Sequence, residues 1–275
     1  MIYLLDFRAG NTGGAVVPGK VVAAPGLGTE MDLRGETSLT FIIHGYNVNR
    51  ENGRDSLTSA AQQLTAGRPA SYVGVLWPGD HWTRALSYPF EGRDADDSAA
   101  FLARYIQDVI ARGSRLSFVS HSLGARVLFE TVKRLRPDYS IGQVLTMAPA
   151  VDDTSVATPG DYLPAVVRSE RVAVLASRKD KVLQLAYPVG DVLQAFIFFR
   201  TDHPGLALGY HGPRAAKGHA VPAQVLHEQV PDARESDHSH YLPTQNPTPT
   251  QARNQTSAMN FARDVLTAIP HPRYL

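Results

Sequence analysis

The 275-residue sequence contains no cysteine, which excludes disulfide bonds, a cysteine nucleophile and thiolate metal sites together. It also has no excess of charge of either sign, because 27 basic residues stand against 26 acidic ones. A balanced chain of this kind does not indicate a surface for a polyanion. We therefore expect no nucleic-acid partner.

Long hydrophobic runs are missing too, and a membrane-spanning helix needs about 20 apolar residues. The N-terminal run from Met1 to Leu5 ends at Asp6, and it lacks the basic segment and the length of a signal peptide. Together with the absence of cysteine, these features predict a cytoplasmic protein without a membrane span.

What the sequence does contain is a regular alternation of short apolar runs and amphipathic helical patterns. Hydrophobic residues make up 43% of the chain, which is enough for a large core. The runs are continuous rather than alternating, as is typical of parallel strands that are covered on both faces. We therefore predict an α/β fold with a doubly wound, mostly parallel sheet. Its strands are predicted at 39–43, 72–77, 116–120, 144–147 and 172–176.

The two ends of the chain show other patterns. Two N-terminal runs, 2–7 and 20–24, flank turns rich in glycine and proline, which predicts antiparallel edge strands. An amphipathic pattern predicts a last helix over 257–268. No linker or repeat divides the chain, so we predict one domain, 1–275. Within it, a cap or long loop is expected somewhere in 182–250, because this tract is apolar at first and then rich in glycine, proline and histidine.

The local pattern that indicates chemistry is Ser120-His121-Ser122-Leu123-Gly124, which joins a predicted strand to a predicted helix. A serine on such a sharp turn has a strained backbone, and small residues two positions away on each side let strand and helix approach. The common form is G-x-S-x-G, and here serine replaces the first glycine. An ordinary N-cap serine is the alternative. The strand before it and the helix after it favour Ser122 as a nucleophile.

A second pattern, His44-Gly45-Tyr46-Asn47, follows the predicted strand 39–43. An oxyanion formed during acyl transfer is stabilised by backbone N–H donors. In the fold that this strand–serine–helix turn resembles, one donor follows the nucleophile and one lies in the loop after the third strand. Those donors are predicted to be Leu123 and Tyr46. Glycine at position 45 lets the backbone come close to the reacting atoms. The residues expected around the pocket are His44, Asn47, Trp77 and His121.

These motifs resemble those of the α/β-hydrolase superfamily, in particular a bacterial group of esterase- or lipase-like members. The resemblance extends from about residue 39 to about residue 242. It implies a serine hydrolase that cleaves a carboxylic ester or related acyl bond through a Ser-His-Asp triad and an acyl-enzyme, without a cofactor. The motifs are HGYN at 44–47, LWPG at 76–79, SHSLG at 120–124, MAP at 147–149 and SRKDKVL at 177–183.

The resemblance also implies a chain order of nucleophile, acid and histidine. Asp180 is the predicted acid, because it follows the apolar run 172–176 in a polar turn. It would hold the imidazole in one tautomer and stabilise the imidazolium. Asp152 and Asp153 are alternative acids, since similar proteins place this residue one strand earlier, and Asp202 is a more distant third.

The base is sought in Ser236-Asp237-His238-Ser239-His240-Tyr241, because histidine is neutral near the working pH and can take a proton. In similar hydrolases the catalytic histidine often precedes a Ser-x-Tyr stretch. His238 is therefore favoured, His240 is the alternative base, and His227 is a weaker one. Two further histidines, His44 and His121, are expected to anchor or pack beside the site.

Histidines at 203, 211, 219 and 227 recur every eight residues, but metal ligands on one element have tighter spacing, so no metal is expected. The expected partner is a small-molecule ester or other acyl substrate. Amidase, thioesterase and acyltransferase activity would use the same residues. A non-catalytic hydrolase-like protein that binds ligands in the same pocket is the alternative from another class. The oligomeric state is left open.

Overall fold

A computed structural model describes residues 1–12, 15–22, 33–65, 70–79, 88–186 and 206–275. These residues form one eight-stranded sheet. Its strands are β1 (Ile2–Arg8), β2 (Val16–Val22), β3 (Ser38–Ile43), β4 (Ser71–Leu76), β5 (Arg115–His121), β6 (Ser140–Met147), β7 (Ser169–Ala176) and β8 (Val225–Gln229). Across the sheet their order is β2-β1-β4-β3-β5-β6-β7-β8.

Helices cover both faces of this sheet. They are α1 (Arg50–Thr65), α2 (Tyr88–Val109), α3 (Gly124–Arg134), α4 (Leu163–Arg168), α5 (Lys181–Ala186), α6 (Leu208–His211) and α7 (Pro249–Leu266). Right-handed crossovers place α1, which connects β3 to β4, on one face, and the helices that connect β4 through β7 on the other. Helix α7 contacts α1 on the first face, while α2, α3 and α4 contact one another in sequence on the second.

All neighbouring strands are parallel except β1 and β2. The predicted α/β class, with a doubly wound and mostly parallel sheet, is therefore confirmed, and so is the antiparallel pair at its N-terminal edge. Within that pair β2 forms the edge. Strand β1 lies inside the sheet, because it also pairs in parallel with β4. It is buried accordingly from Tyr3 to Arg8.

Burial follows the apolar runs from which the central strands were predicted. All six residues of β4 are buried, and β6 is buried from Ile141 to Met147. Helices on both faces remove these side chains from water, and such burial contributes about 25 cal/mol per Å² of apolar surface. The observed central strands begin one to four residues before the predicted ones, and β4 ends one residue earlier than predicted. Most of the added residues are polar, and they still complete the backbone ladder.

Strand β8 was missed by the sequence reasoning. Three of the five residues in its sequence, Val225-Leu226-His227-Glu228-Gln229, are polar, and it lies in the tract rich in glycine, proline and histidine. Among the described residues it pairs with one strand, β7, and forms the edge of the sheet. An edge strand needs less apolar surface than a central one, so its pattern is weak.

The helix starts were predicted less well than the strands. Helix α2 begins at Tyr88, eight residues before Asp96, although the amphipathic pattern that predicts this helix follows the polar residues Asp96-Asp97-Ser98. Residues 187–205 lie outside the described part of the chain, as does most of the cap helix expected in the apolar run 182–199. The alternative acid Asp202 and His203 lie there too. Among the described residues, no helix has both the length and the apolar character needed to cross a membrane.

The N-terminus of α7 is closed by a capping box. Thr248 Oγ1 accepts a hydrogen bond from Gln251 N at 3.3 Å, and Gln251 Oε1 accepts one from Thr248 N at 3.0 Å. Pro249 occupies the first turn, where its missing N–H costs nothing. The helix therefore starts eight residues before the predicted position, and this cap was readable in the sequence Thr-Pro-Thr-Gln.

We expect Thr248→Ala to lower the free energy of unfolding by about 1 kcal/mol, because the backbone N–H of Gln251 loses its side-chain partner. Thr256→Ala is the matched control, since it removes the same atoms from an exposed position inside α7. Urea unfolding of both variants measures the difference. Equal stability of the two would show that the cap does not hold the helix.

Candidate active site

The residues singled out from the sequence follow the carboxyl ends of parallel strands, which lie on one edge of the sheet. His44 follows β3, Ser122 follows β5 and Asp180 comes four residues after the end of β7. His238 follows β8 at a distance of nine residues. The topology therefore brings together segments that are far apart in the sequence.

Ser122 lies on a strained turn between β5 and α3. Its φ angle is 54°, a left-handed conformation that is uncommon for a residue with a side chain. Two backbone hydrogen bonds hold the turn: Ser122 N donates to Met147 O at 3.0 Å, and Ala150 N donates to Ser122 O at 3.2 Å. The turn is thus fixed against the end of β6, and Leu123 is the N-cap of α3.

Glycine is required on both sides of the contact between this turn and the loop after β3. A Cβ atom on Gly124 would lie 2.5 Å from His44 O, and one on Gly45 would lie 2.8 Å from the Cβ of Ser122. Neither of these two atoms can move easily, because His44 O belongs to the backbone and the Cβ of Ser122 belongs to the strained turn. The backbone at Gly45 therefore lies directly against the serine, as the sequence reasoning expected of this loop.

A chain of hydrogen bonds connects Ser122, His238 and Asp180. His238 Nε2 lies 2.8 Å from Ser122 Oγ, and His238 Nδ1 lies 2.7 Å from Asp180 Oδ2. A carboxylate can only accept, so we assign the proton to Nδ1, which leaves Nε2 to accept from the serine hydroxyl. The other carboxylate oxygen of Asp180 accepts from Leu183 N at 3.0 Å. The fully buried Asp180 therefore has a partner on each oxygen.

This arrangement has the geometry of an activated nucleophile. The imidazole can take the proton of Ser122 as the hydroxyl attacks, and the buried carboxylate can stabilise the imidazolium that results. In chain order the three residues are serine, aspartate and histidine, the order found on sheets of this kind.

Comparison with known families agrees with this fold. Residues 25–194 match the family described as "Alpha/beta hydrolase of unknown function (DUF900)", a match that covers more than half of the chain. The chain belongs to this family. The resemblance seen in the sequence motifs, and the α/β-hydrolase fold predicted from it, are therefore confirmed.

More distant likenesses come from solved structures, all at low identity. The ydeN gene product from B. subtilis is 18% identical, with a TM-score of 0.35, over 53% of this chain and 74% of its own. Esterase PE8 is 18% identical, with a TM-score of 0.43, over 86% and 96%. Esterase B from Lactobacillus rhamnosis is 12% identical, with a TM-score of 0.42, over 86% and 79%. No curated protein matches the sequence significantly.

The structure separates the two histidines between which the sequence could not decide. His238 contacts Ser122, whereas His240 Nδ1 accepts from Asp237 N at 3.2 Å and lies 3.1 Å from Asn254 Nδ2. Burial lowers the pKa of His240. The weaker alternative, His227, lies within β8, and its ring packs against the backbone of Gly212.

The alternative acids after β6 are bound to other groups. Asp153 is buried and paired with Arg214 through two hydrogen bonds of 2.8 and 3.1 Å. Burial raises its pKa, and Arg214 opposes that shift. Asp152 Oδ1 accepts from Thr154 N at 2.7 Å. The hydrogen bonds described for these two carboxylates thus stabilise the loop after β6. The carboxylate that contacts His238 is that of Asp180.

Of the four expected pocket residues, His44 and Trp77 lie underneath the loop after β3. Trp77 Nε1 donates to His44 O at 2.9 Å, and the two rings stack with centroids 5.7 Å apart. Both side chains are buried, so they support the loop from below. Asn47 is exposed at its far end, where Asn47 N donates to Gly79 O. His121 lies beside His238, with ring centroids 4.8 Å apart.

Arg8 is a supporting residue that sequence reasoning missed. It is buried at the end of β1, and its guanidinium donates to Val48 O at 2.9 Å and to Trp77 O at 3.0 Å. It also donates to Asn11 O at 3.0 Å. A single arginine thus ties the loop after β3 to the loop after β4. No motif marks it, because its acceptors are carbonyl groups that any residue supplies.

The described residues contain no cluster of three histidine, aspartate or glutamate side chains that could hold a metal ion. His211 and His219, from the eight-residue repeat, are exposed.

His44 is held neutral by its surroundings. Burial lowers its pKa to about 3, against the opposing hydrogen bond to Gly45 O and with a smaller contribution from the charge of Arg8. Nδ1 donates to Gly45 O at 2.8 Å, and Nε2 accepts from Trp77 N at 3.3 Å. Protonation of Nε2 would place two donors face to face and break the second bond.

This neutrality predicts a pH dependence of stability. The unfolded chain protonates His44 near pH 6.5 while the folded state does so only near pH 3, so protons favour unfolding. Stability therefore falls as the pH is lowered through this window, by about 2 kcal/mol between pH 6.5 and about pH 5. Urea unfolding at several pH values measures this slope. His44→Gln cannot titrate and should have the shallower slope; equal slopes would contradict the assignment.

Proposed function

We propose that the chain is a serine hydrolase that cleaves a carboxylic ester, or a related acyl bond, through an acyl-enzyme on Ser122. The observation that carries the proposal is the chain of short hydrogen bonds from Ser122 through His238 to Asp180. An ordinary N-cap serine would explain neither the left-handed backbone nor the imidazole aimed at its hydroxyl.

In the proposed reaction His238 takes the proton of Ser122 as the serine oxygen attacks the carbonyl carbon of the substrate. The tetrahedral intermediate collapses when His238 passes this proton to the leaving alcohol, which leaves the acyl group on Ser122. Water then attacks the acyl-enzyme with His238 as base, and the imidazolium returns this proton to Ser122 as the acid is released. Asp180 holds the tautomer and stabilises the imidazolium in both halves of the reaction.

The oxyanion is proposed to be held by the backbone N–H groups of Leu123 and Tyr46. Leu123 is at the N-terminus of α3, where the first amides have no intrahelical acceptor. The close contact of Gly45 with Ser122 supports the second donor, since Tyr46 is the next residue in that loop. Preorganised donors of this kind are worth about 3 kcal/mol each to the transition state.

The proposed substrate is a small-molecule ester or acyl compound, and the steps above use no cofactor. Amidase, thioesterase and acyltransferase chemistry would use the same residues. A non-catalytic binding protein is the competing function, and the chain Ser122–His238–Asp180 argues against it, because binding needs no activated hydroxyl. From the sequence we also retain a single domain, 1–275, with a cap or loop within 182–250, and a cytoplasmic location.

A fluorophosphonate probe should label the purified protein on Ser122, because this probe reacts with activated serines. Peptide mass spectrometry locates the adduct, and Ser122→Ala should abolish both labelling and hydrolysis of p-nitrophenyl acetate. Ser120→Ala is the control, since it removes a neighbouring buried hydroxyl two residues away. A folded wild-type protein that neither reacts with the probe nor hydrolyses the ester would favour the binding protein.

The partners of the serine can be tested with matched pairs of variants. We expect His238→Ala and Asp180→Asn to lower kcat by about 10³- to 10⁴-fold, because the first removes the base and the second its correct tautomer. His240→Ala and Asp152→Asn change the alternatives that the sequence left open, and both should stay within about tenfold of the wild type. The reverse ranking within either pair would move the base or the acid to the other residue.

A further inference from the structure

His121 precedes the proposed nucleophile, yet the proposed reaction gives it no role. Its Nε2 lies 2.8 Å from the backbone oxygen of His238. Its ring contacts two side chains of the segment after β8, with centroids 4.8 Å from His238 and 5.7 Å from Tyr241. On its other side, a Cβ atom on Gly45 would lie 2.9 Å from Nδ1. The ring therefore lies between the loop after β3 and the segment that carries His238.

The hydrogen bond fixes the tautomer of this ring. A backbone carbonyl can only accept, so Nε2 of His121 carries the proton and donates to His238 O. Burial, and after it the neighbouring His238, lower the pKa of His121 well below its usual value. The ionisable groups that act on the ring are His238 and Tyr241 from the segment after β8 and His44 from the loop after β3. A neutral ring adds no charge beside the imidazolium that would form on His238.

The backbone of His238 is held by side chains at both of its polar groups. Its N–H donates to Asp237 Oδ1 at 2.8 Å, and the same carboxylate oxygen accepts from Lys181 N at 3.0 Å. Its carbonyl accepts from His121. The segment after β8 is irregular and has no ladder of its own to fix it at this point. These two contacts hold the backbone at His238, while the hydrogen bond from Nδ1 to Asp180 orients its ring.

We propose that His121 is a positioning residue, which holds the backbone of His238 through Nε2–H and so keeps the imidazole within reach of Ser122. The proposal rests on the proposed function, in which His238 is the base. The same contact links the serine turn to the base, because His121 and Ser122 are adjacent. A displacement of about 1 Å at such a site costs up to about 100-fold in rate.

The test compares His121→Gln with His121→Met. The two side chains have similar length and volume, but only glutamine can place an N–H near the position of Nε2. We expect Gln to keep kcat for p-nitrophenyl acetate within about threefold of the wild type, and Met to lower it about 30-fold. KM should change less than about twofold in both, because the proposed contact acts on the position of His238 and not on the binding of the substrate. Thermal unfolding verifies that both variants are folded.

If the His121 ring is needed only for packing, the result differs: kcat of His121→Met is then equal to or higher than that of His121→Gln. Equal kcat values of the two variants, or a larger loss in Gln, would therefore overturn the proposal. Hydrogen–deuterium exchange of the peptide 236–241 gives a readout without activity: exchange should be faster in Met and unchanged in Gln. If wild-type Ser122 does not react with the fluorophosphonate, the proposed function fails, and the exchange data still decide whether His121 anchors this segment.

Discussion

The close approach of two backbone segments, the turn at Ser122 and the loop after β3, is the constraint on which the site depends. It exists because β3 and β5 are parallel neighbours, so their carboxyl ends emerge side by side. It is tight enough that Gly45 and Gly124 leave no room for a Cβ atom. The strained backbone conformation of Ser122 persists because contacts with the surrounding sheet hold it in place.

Around this contact the molecule uses buried polar groups, each with defined partners. Arg8 binds carbonyl groups of two loops, and the neutral His44 bridges the loop after β3 to Trp77. His121 connects the serine turn to the segment after β8. In a low-dielectric interior such bonds are strong when satisfied and costly when broken. They therefore give the site a rigid support built from loops.

Much of the fold could be predicted from the sequence, because central parallel strands are covered on both faces and read as continuous apolar runs. The turn at Ser122 was identifiable for a related reason, since a strand, small residues and a helix follow one another within a few positions. The prediction was weaker where burial is one-sided or absent. Strand β8 was missed, and the start of α2 was displaced by eight residues.

The sequence by itself determined the class of the fold and the central strands β3 to β7, whose carboxyl ends precede His44, Ser122 and Asp180, because these follow from hydrophobic pattern and chain connectivity. It also supplied a short list of polar residues for each position of the candidate site. Only the tertiary structure decided among them: it aims His238 at Ser122, ties His240 to Asn254, and pairs Asp153 with Arg214. The physical reason is that neighbouring residues in an irregular loop point in different directions. Which of them meets a partner is set by long-range packing that no local pattern records.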